Sequence, residues 1–296
     1  MKTRLQFKKD LKEKNELVNI AIDRFLPRKD EYPKQIHKAM RHTIFAGGKR
    51  LRPYLTFRIF NLFSEDNRKI AEVAAAIELL HTYTLIHDDL PEIDNDDMRR
   101  GKPTCHVVYG SDIALLAGDA LLVNAIEMLS MLDLSDHVKV NLIREMTVEC
   151  GDTGLIAGQM ADILNEGKTG TPKMLNFIHL NKTVKLFRLC SRMACHTAEA
   201  SEEDMQRLDE YSYRFGMAFQ IMDDILDVEG VEKSLGKTIG KDAKSKKMTY
   251  PAVYGMDKSK SEANRLIEEA NEIISHYGDK AYYLKQLNNY VITREM

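Results

Sequence analysis

Two long stretches without proline, residues 104–171 and 173–250, are bounded by Pro103, Pro172 and Pro251. Proline inside a helix removes a backbone donor and clashes with the preceding turn, so these stretches are where long helices can run. Within them apolar residues recur at intervals of three and four. Leu175, Ile178, Leu186, Leu189 and Met193 make one series; Leu208, Tyr211, Phe215, Phe219, Met222 and Leu226 make another. That is a helical period. Runs of alternating polarity punctuated by turn dipeptides are missing from the sequence, and so is any Ser/Gly/Pro-rich linker. The chain therefore reads as all-α, a single domain over 1–296 built as a bundle of about ten or more helices around a deep central cavity. Candidate helices fall at about 11–25, 33–45, 53–63, 67–90, 111–131, 136–165, 172–199, 202–229, 247–256, 259–276 and 279–293.

Composition narrows the function classes. Lys plus Arg number 43 against 45 Asp plus Glu, a net charge of -2, which excludes a general nucleic-acid coat and leaves no nucleic acid among the expected partners. No run approaches 18 consecutive apolar residues, so no transmembrane segment is expected. Cys105, Cys150, Cys190 and Cys195 lack C-x-x-C spacing and read as reduced thiols. The N-terminus passes through Asp10, Glu13 and Glu16 without an apolar core, so no targeting peptide is expected and the location reads as cytoplasmic.

The sharpest local anomaly is His87-Asp88-Asp89-Leu90-Pro91-Glu92-Ile93-Asp94-Asn95-Asp96-Asp97, six carboxylates placed just after an apolar helix. A helix C-terminus disfavours negative charge, so local stability does not account for the placement. A second cluster lies inside an apolar helix: Gln220, Asp223, Asp224 and Asp227 at i, i+3, i+4 and i+7, one helical face. Oxygen-only donors without His or Cys suit Mg²⁺, which keeps several waters and shares itself with phosphates. Two such clusters point to two helix ends facing across a cavity with a polyanion between them. Cations flank both. Gly47-Gly48-Lys49-Arg50-Leu51-Arg52-Pro53 reads as a helix stop and a new helix start, a natural anion site. Arg99 and Arg100 follow the first cluster, and Lys233, Lys237, Lys241, Lys244, Lys246 and Lys247 follow the second.

Two other readings fail or compete. Gly236-Lys237-Thr238 imitates the end of a P-loop, but Val231 stands where that motif needs glycine and no strand precedes it. His87-Asp88 is compatible with an HD-type metal phosphohydrolase, also all-α, which would leave the Asp223 cluster and Arg99-Arg100 without a task.

The ordered series Gly47-Gly48-Lys49-Arg50-Leu51-Arg52-Pro53, Leu85-Ile86-His87-Asp88-Asp89-Leu90-Pro91, Arg99-Arg100-Gly101, Gly118-Asp119-Ala120-Leu121, Gly158-Gln159, Lys182-Thr183, Phe219-Gln220-Ile221-Met222-Asp223-Asp224 and Gly236-Lys237 resembles the trans-isoprenyl diphosphate synthases. It is most like the bacterial-type farnesyl diphosphate synthases, over nearly the whole chain. The resemblance implies the isoprenoid synthase fold, a usual homodimer, and three Mg²⁺ held by Asp88, Asp89 and Asp94 of the first motif and Asp223, Asp224 and Asp227 of the second. It implies that Lys49, Arg52, His81 and Arg100 bind isopentenyl diphosphate. It also implies that Arg99, Lys182, Thr183, Gln220, Lys237 and Lys247 contact the allylic diphosphate. Asp88, Asp94, Arg99, Lys182, Thr183, Gln220 and Asp223 would carry the chemistry. The implied reaction is head-to-tail condensation of isopentenyl diphosphate with dimethylallyl or geranyl diphosphate, giving mainly farnesyl diphosphate and pyrophosphate. Tyr83, five residues before Asp88 and so about 7.5 Å back along the helix, together with the Leu90-Pro91 insertion, goes in the family with a fifteen-carbon product. A geranylgeranyl diphosphate synthase is the alternative. The sequence departs from the family at Val184-Lys185, where a small residue commonly comes first beside a local helix kink. A class I terpene cyclase would replace Asp223-Asp224-Ile225-Leu226-Asp227 by an Asn/Asp, Ser/Thr, Glu pattern, and an inactive subunit would lack the intact acid motifs.

Overall fold

The computed structural model describes residues 2–229 and 248–293. The chain divides into two compact units, Met1–Phe57 with Asp66–Ile143, and Arg58–Glu65 with Arg144–Met296.

The first unit contains α1 (Lys2–Phe25), α2 (Lys34–Ile44), most of α3 (Leu51–Phe60), α4 (Asn67–Asp88), α5 (Cys105–Tyr109), α6 (Ser111–Ser130) and the start of α7 (Asp136–Cys150). Helix α4 is its axis. Ile70, Val73, Ala74, Ala75, Ala76, Ile77, Leu79 and Leu80 are all buried, so the helix is apolar around most of its circumference, as a central helix must be. Small residues set how closely its neighbour comes: Ala114, Ala117 and Gly118 are the buried face of α6, which packs on α4. Helix α1 begins well before the expected residue 11. Its first turns are fixed by Phe7, edge-on to Tyr54 at 5.6 Å, and by Asp10, which accepts a 2.6 Å hydrogen bond from the Tyr54 hydroxyl.

A short antiparallel ribbon, β1 (Met98–Arg99) and β2 (Lys102–Pro103), is an exception to the all-α reading. Its turn residues Arg100 and Gly101 have φ of 54° and 72°, the positive values that two-residue hairpins favour. Among the described residues one helix, α6, passes the length and composition test for a membrane span. Its mean hydropathy of 1.6 makes it long and apolar enough to cross a membrane by composition alone, although 39% of it is buried.

The second unit holds the rest of α7, α8 (Leu155–Asn165), α9 (Pro172–Ile178), α10 (Lys185–Ala198), α11 (Glu202–Glu229), α12 (Tyr250–Tyr254), α13 (Met256–Ile274) and α14 (Tyr282–Thr293). Helix α11 packs on α10 and α13, and the rings of Phe187, Phe215 and Phe219 meet 5.0 to 6.5 Å apart. The expected helix 136–165 is two helices, broken at Gly151–Gly154. A side chain at Gly154 would put its Cβ 2.1 Å from the Glu149 carbonyl, so the chain can turn here only as glycine. Helices α9 and α10 are joined through a π-helical segment, His179–Val184, which contains Lys182-Thr183. The irregularity expected at this point is present despite Val184-Lys185.

Candidate active site

In the first unit, α4 ends at Asp88 and the chain folds back on itself. The Asp94 amide donates to the Asp88 carbonyl at 2.9 Å and the Asp96 amide to the Asp89 carbonyl at 3.2 Å. The six-residue separation of Asp88 and Asp94 is thus closed by backbone hydrogen bonds, with Pro91 turning the chain between them. Asp88 and Asp94 stay half-buried, whereas Asp89 is 1% exposed. Both of its oxygens accept from Arg99 Nε, at 2.7 and 2.8 Å, and Arg99 Nη2 adds a further bond. Burial pushes the Asp89 carboxyl up from its ordinary value, against the pull of Arg99. Asp89, expected from the resemblance among the metal ligands, is here turned to the Arg99 guanidinium. Arg99 is correspondingly held on Asp89 and, at 3.6 Å, on Asp96.

The ribbon turn sends Arg100 the other way. Its guanidinium lies against the Gly47-Gly48 loop and donates to the Gly47 carbonyl. A Cβ on Gly48 would fall 2.6 Å from Arg100 Cζ, and Gly48 has φ of 119°, so glycine is demanded twice. Arg52 Nη1 lies 3.3 Å from His81 Nε2. Burial first, then the charges of Arg52, Arg100, Arg99 and Arg50, hold the His81 imidazole well below its usual range. A neutral imidazole that accepts from Arg52 at Nε2 carries its proton on Nδ1, and that atom is buried with no partner among the described residues. Lys49 is exposed beside this cluster. The first unit therefore gathers Arg52, His81 and Arg100 as expected, and adds a histidine fixed as a neutral donor.

Tyr83 is buried and meets the His87 ring edge-on at 5.0 Å. His87 Nε2 lies 3.0 Å from the Leu115 carbonyl, and a Cβ on Gly118 would fall 2.2 Å from the same nitrogen. His87 thereby takes part in the α4–α6 contact through Nε2. Among the described residues no three His, Cys, Asp or Glu side chains converge as a self-sufficient metal site.

In the second unit a hydrogen-bonded chain links three elements. The Thr183 hydroxyl donates to Gln220 Oε1 at 2.6 Å, Gln220 Nε2 donates to Asp224 Oδ1 at 2.8 Å, and the Tyr250 amide donates to Asp224 Oδ2 at 2.6 Å. His179 Nε2 sits 3.2 Å from the same oxygen. Asp224 is 4% exposed, with both oxygens in hydrogen bonds. It anchors Gln220, while Asp223 and Asp227, one turn apart, remain half-buried on the helix face. Lys182 Nζ donates to Asp162 Oδ2 at 2.6 Å. Sequence reasoning missed Asp162, whose signal was a lone acid in the apolar run of α8. His179, three residues before Lys182, has no motif to mark it in the sequence. Lys237 and Lys247 lie outside the described residues.

An all-α chain with paired aspartate motifs, a cation cluster beside a glycine loop and a Lys-Thr π-turn has the attributes of a prenyltransferase. The polyprenyl synthetase family profile matches residues 33–287, and the chain belongs to that family. It is similar to a geranylgeranyl diphosphate synthase of Cyanophora paradoxa, 40% identical over 96% of this chain and 95% of the relative. It is similar to a farnesyl diphosphate synthase of Geobacillus stearothermophilus, 41% identical over 88% of each. Among solved structures, it resembles a geranyltransferase of Helicobacter pylori in complex with magnesium and isoprenyl diphosphate, with a TM-score of 0.85, 29% identity and coverage of 95% of both chains. The chain is a trans-prenyl diphosphate synthase of a Mg²⁺-dependent family.

Proposed function

We propose that this protein condenses isopentenyl diphosphate head-to-tail with dimethylallyl and then geranyl diphosphate, giving mainly farnesyl diphosphate. The observation that carries the product length is Tyr83, a buried aromatic one and a half turns before Asp88 on α4. A prenyl tail running back from a diphosphate near Asp88 meets that ring. The mixed names of the relatives keep geranylgeranyl diphosphate as the second reading.

The donor set fits Mg²⁺. Asp88, Asp94, Asp223 and Asp227 offer carboxylate oxygens alone, in the small numbers Mg²⁺ takes when phosphates complete its shell. Asp88 with Asp94, and Asp223 with Asp227, would hold the ions, which would supply charge neutralisation for the departing diphosphate. Asp89 and Asp224 hold the two motifs in shape. Lys49, Arg52 and Arg100 bind the diphosphate of isopentenyl diphosphate, His81 donates to it from Nδ1, and the double bond is thereby oriented towards the allylic carbon. Thr183 and Gln220 present neutral oxygens to the allylic cation, which a carboxylate would trap. Lys182, with Asp162 behind it, contacts the allylic diphosphate, and Lys237 and Lys247 join it. The proton lost from the new bond's neighbour leaves with the released diphosphate.

The family match runs through both units, which supports one prenyltransferase domain over 1–296. A homodimer is supported by Leu115, Leu116 and Val123, exposed along one face of the apolar helix α6. Substrate binding is tested by Lys49→Ala and Arg52→Ala. Each loses a charge-assisted phosphate contact of about 1.5–3 kcal/mol, so KM for isopentenyl diphosphate should rise about tenfold or more while KM for the allylic partner holds. Equal rises in both would overturn the division of sites.

A further inference from the structure

Arg50 stands between the two residues assigned to isopentenyl diphosphate in the Gly47–Arg52 loop, yet it does not face a ligand. It is 6% exposed. Its three guanidinium nitrogens go to three different elements: Nη1 to Glu78 Oε1 on α4 at 2.7 Å, Nε to Asn19 Oδ1 on α1 at 2.9 Å, and Nη2 to the Ile44 carbonyl at the end of α2 at 2.5 Å. Its backbone has φ of 45°, the left-handed region that a non-glycine side chain enters only when its surroundings impose it. One helical turn before Asn19, Asn15 Nδ2 donates to the Lys49 carbonyl at 3.2 Å. Helix α1 thus grips the loop at two consecutive residues, although it lies outside residues 33–287 that match the family profile.

Glu78 is the reason this grip matters. It is 1% exposed and lies three residues before His81, on the same face of α4. The Arg50–Glu78 pair therefore fixes the loop against α4 at the level where Arg52 meets His81. Glu78 is also the carboxylate within reach of Arg100, among cations that would otherwise repel one another.

We propose that Asn19, Arg50 and Glu78 form a positioning lock that holds Arg52 in register with His81 and Arg100, and so sets the affinity for isopentenyl diphosphate without touching it. The proposal rests on the assignment of Lys49, Arg52, His81 and Arg100 to that substrate. Its consequence is that the N-terminal helix is part of the binding apparatus.

The test compares Asn19→Ala and Arg50→Lys with Lys49→Ala. Arg50→Lys keeps a charge for Glu78 but cannot fork to Asn19 and Ile44 together. Asn19→Ala removes one side chain from a half-buried surface and leaves the ion pair intact. Isopentenyl diphosphate binding is read by calorimetry without metal, and KM for both substrates is read with Mg²⁺. Asn19→Ala should weaken isopentenyl diphosphate binding about threefold or more and Arg50→Lys about tenfold or more, with KM for the allylic diphosphate and kcat within about twofold of wild type. If either folded variant binds isopentenyl diphosphate as the wild type does while Lys49→Ala does not, the lock is wrong and the site stands. A lower melting temperature with both KM values unchanged likewise reduces the trio to a purely structural role. If Lys49→Ala also leaves isopentenyl diphosphate binding unchanged, the substrate assignment itself fails. Should Arg50→Lys not fold, Asn19→Ala alone decides.

Discussion

Gly158 is the position where a single methyl group should do most harm. A Cβ built there lies 2.2 Å from the Lys182 amide nitrogen, 2.7 Å from the Asn181 carbonyl carbon and 2.8 Å from Lys182 Cα. All three are backbone atoms of the π-helical segment, so no side chain can swing aside. Restoring a contact near 3.5 Å requires α8 and that segment to separate by roughly 1.3 Å. Overpacking of this kind costs about 1–3 kcal/mol, offset in part by the gain of about 1 kcal/mol when alanine replaces glycine in a helix. The net loss of stability in Gly158→Ala is therefore modest, about 0–2 kcal/mol. The catalytic loss is not, because the displaced atoms are the backbone of Lys182 and, next to it, Thr183. A misplacement near 1 Å can reduce rate about 100-fold, roughly 2.7 kcal/mol of barrier. Steady-state kinetics with dimethylallyl and isopentenyl diphosphates, alongside a thermal melt, gives both numbers. We expect kcat/KM to fall far more than a drop of a few degrees in Tm would explain. Wild-type kinetics in a folded Gly158→Ala protein would refute the argument that the π-turn is set by the close approach of α8.

Two further predictions concern the acid motifs and His81. Asp88→Ala and Asp223→Ala should each lower kcat by orders of magnitude with the helical circular dichroism unchanged, whereas Asp89→Ala should lower Tm, because it strands the buried Arg99 and breaking such a pair costs about 3–5 kcal/mol. An Asp88→Ala enzyme within about tenfold of wild type, roughly 1.4 kcal/mol, would remove the metal role. His81 is held below its usual range, so it stays neutral where an unfolded chain would take up a proton. Its contribution to stability is therefore present above pH ~6.5 and lost as the pH falls through that value towards the folded pKa. Imidazole resonances followed by NMR should show no titration of His81 near 6.5, and one at or above that value would contradict the cation cluster around it.

Much of this was legible in the sequence because it depends on short-range pattern. The period of Leu208 to Leu226 specified α11, and acids placed where helix electrostatics opposes them marked both motifs. What stayed hidden depends on atoms brought from elsewhere. Gly151-Asp152-Thr153-Gly154 does carry turn residues, and the expected single helix 136–165 ran over them because apolar spacing resumes on both sides. The first turns of α1 carry few apolar residues, and their burial needs Tyr54. The π-turn at His179–Val184 was foreshadowed only by the family resemblance, and its shifted backbone bonds show in the structure alone. The sequence shows that Asp88 and Asp89 are both acids, and likewise Asp223 and Asp224. It cannot show that Arg99 faces Asp89 while His179 and the Tyr250 amide face Asp224.

The central claim is a head-to-tail condensation that stops at fifteen carbons against Tyr83, and one measurement addresses it most directly. The wild type and Tyr83→Ala are incubated with Mg²⁺, dimethylallyl diphosphate and excess isopentenyl diphosphate, and the dephosphorylated products are separated by chromatography. The account predicts farnesol as the main wild-type product and a shift to twenty carbons or more once the ring is removed. Mostly twenty-carbon product from the wild type, or an unchanged distribution from a folded and active Tyr83→Ala enzyme, would contradict the chain-length assignment, and no elongated product at all would contradict the condensation.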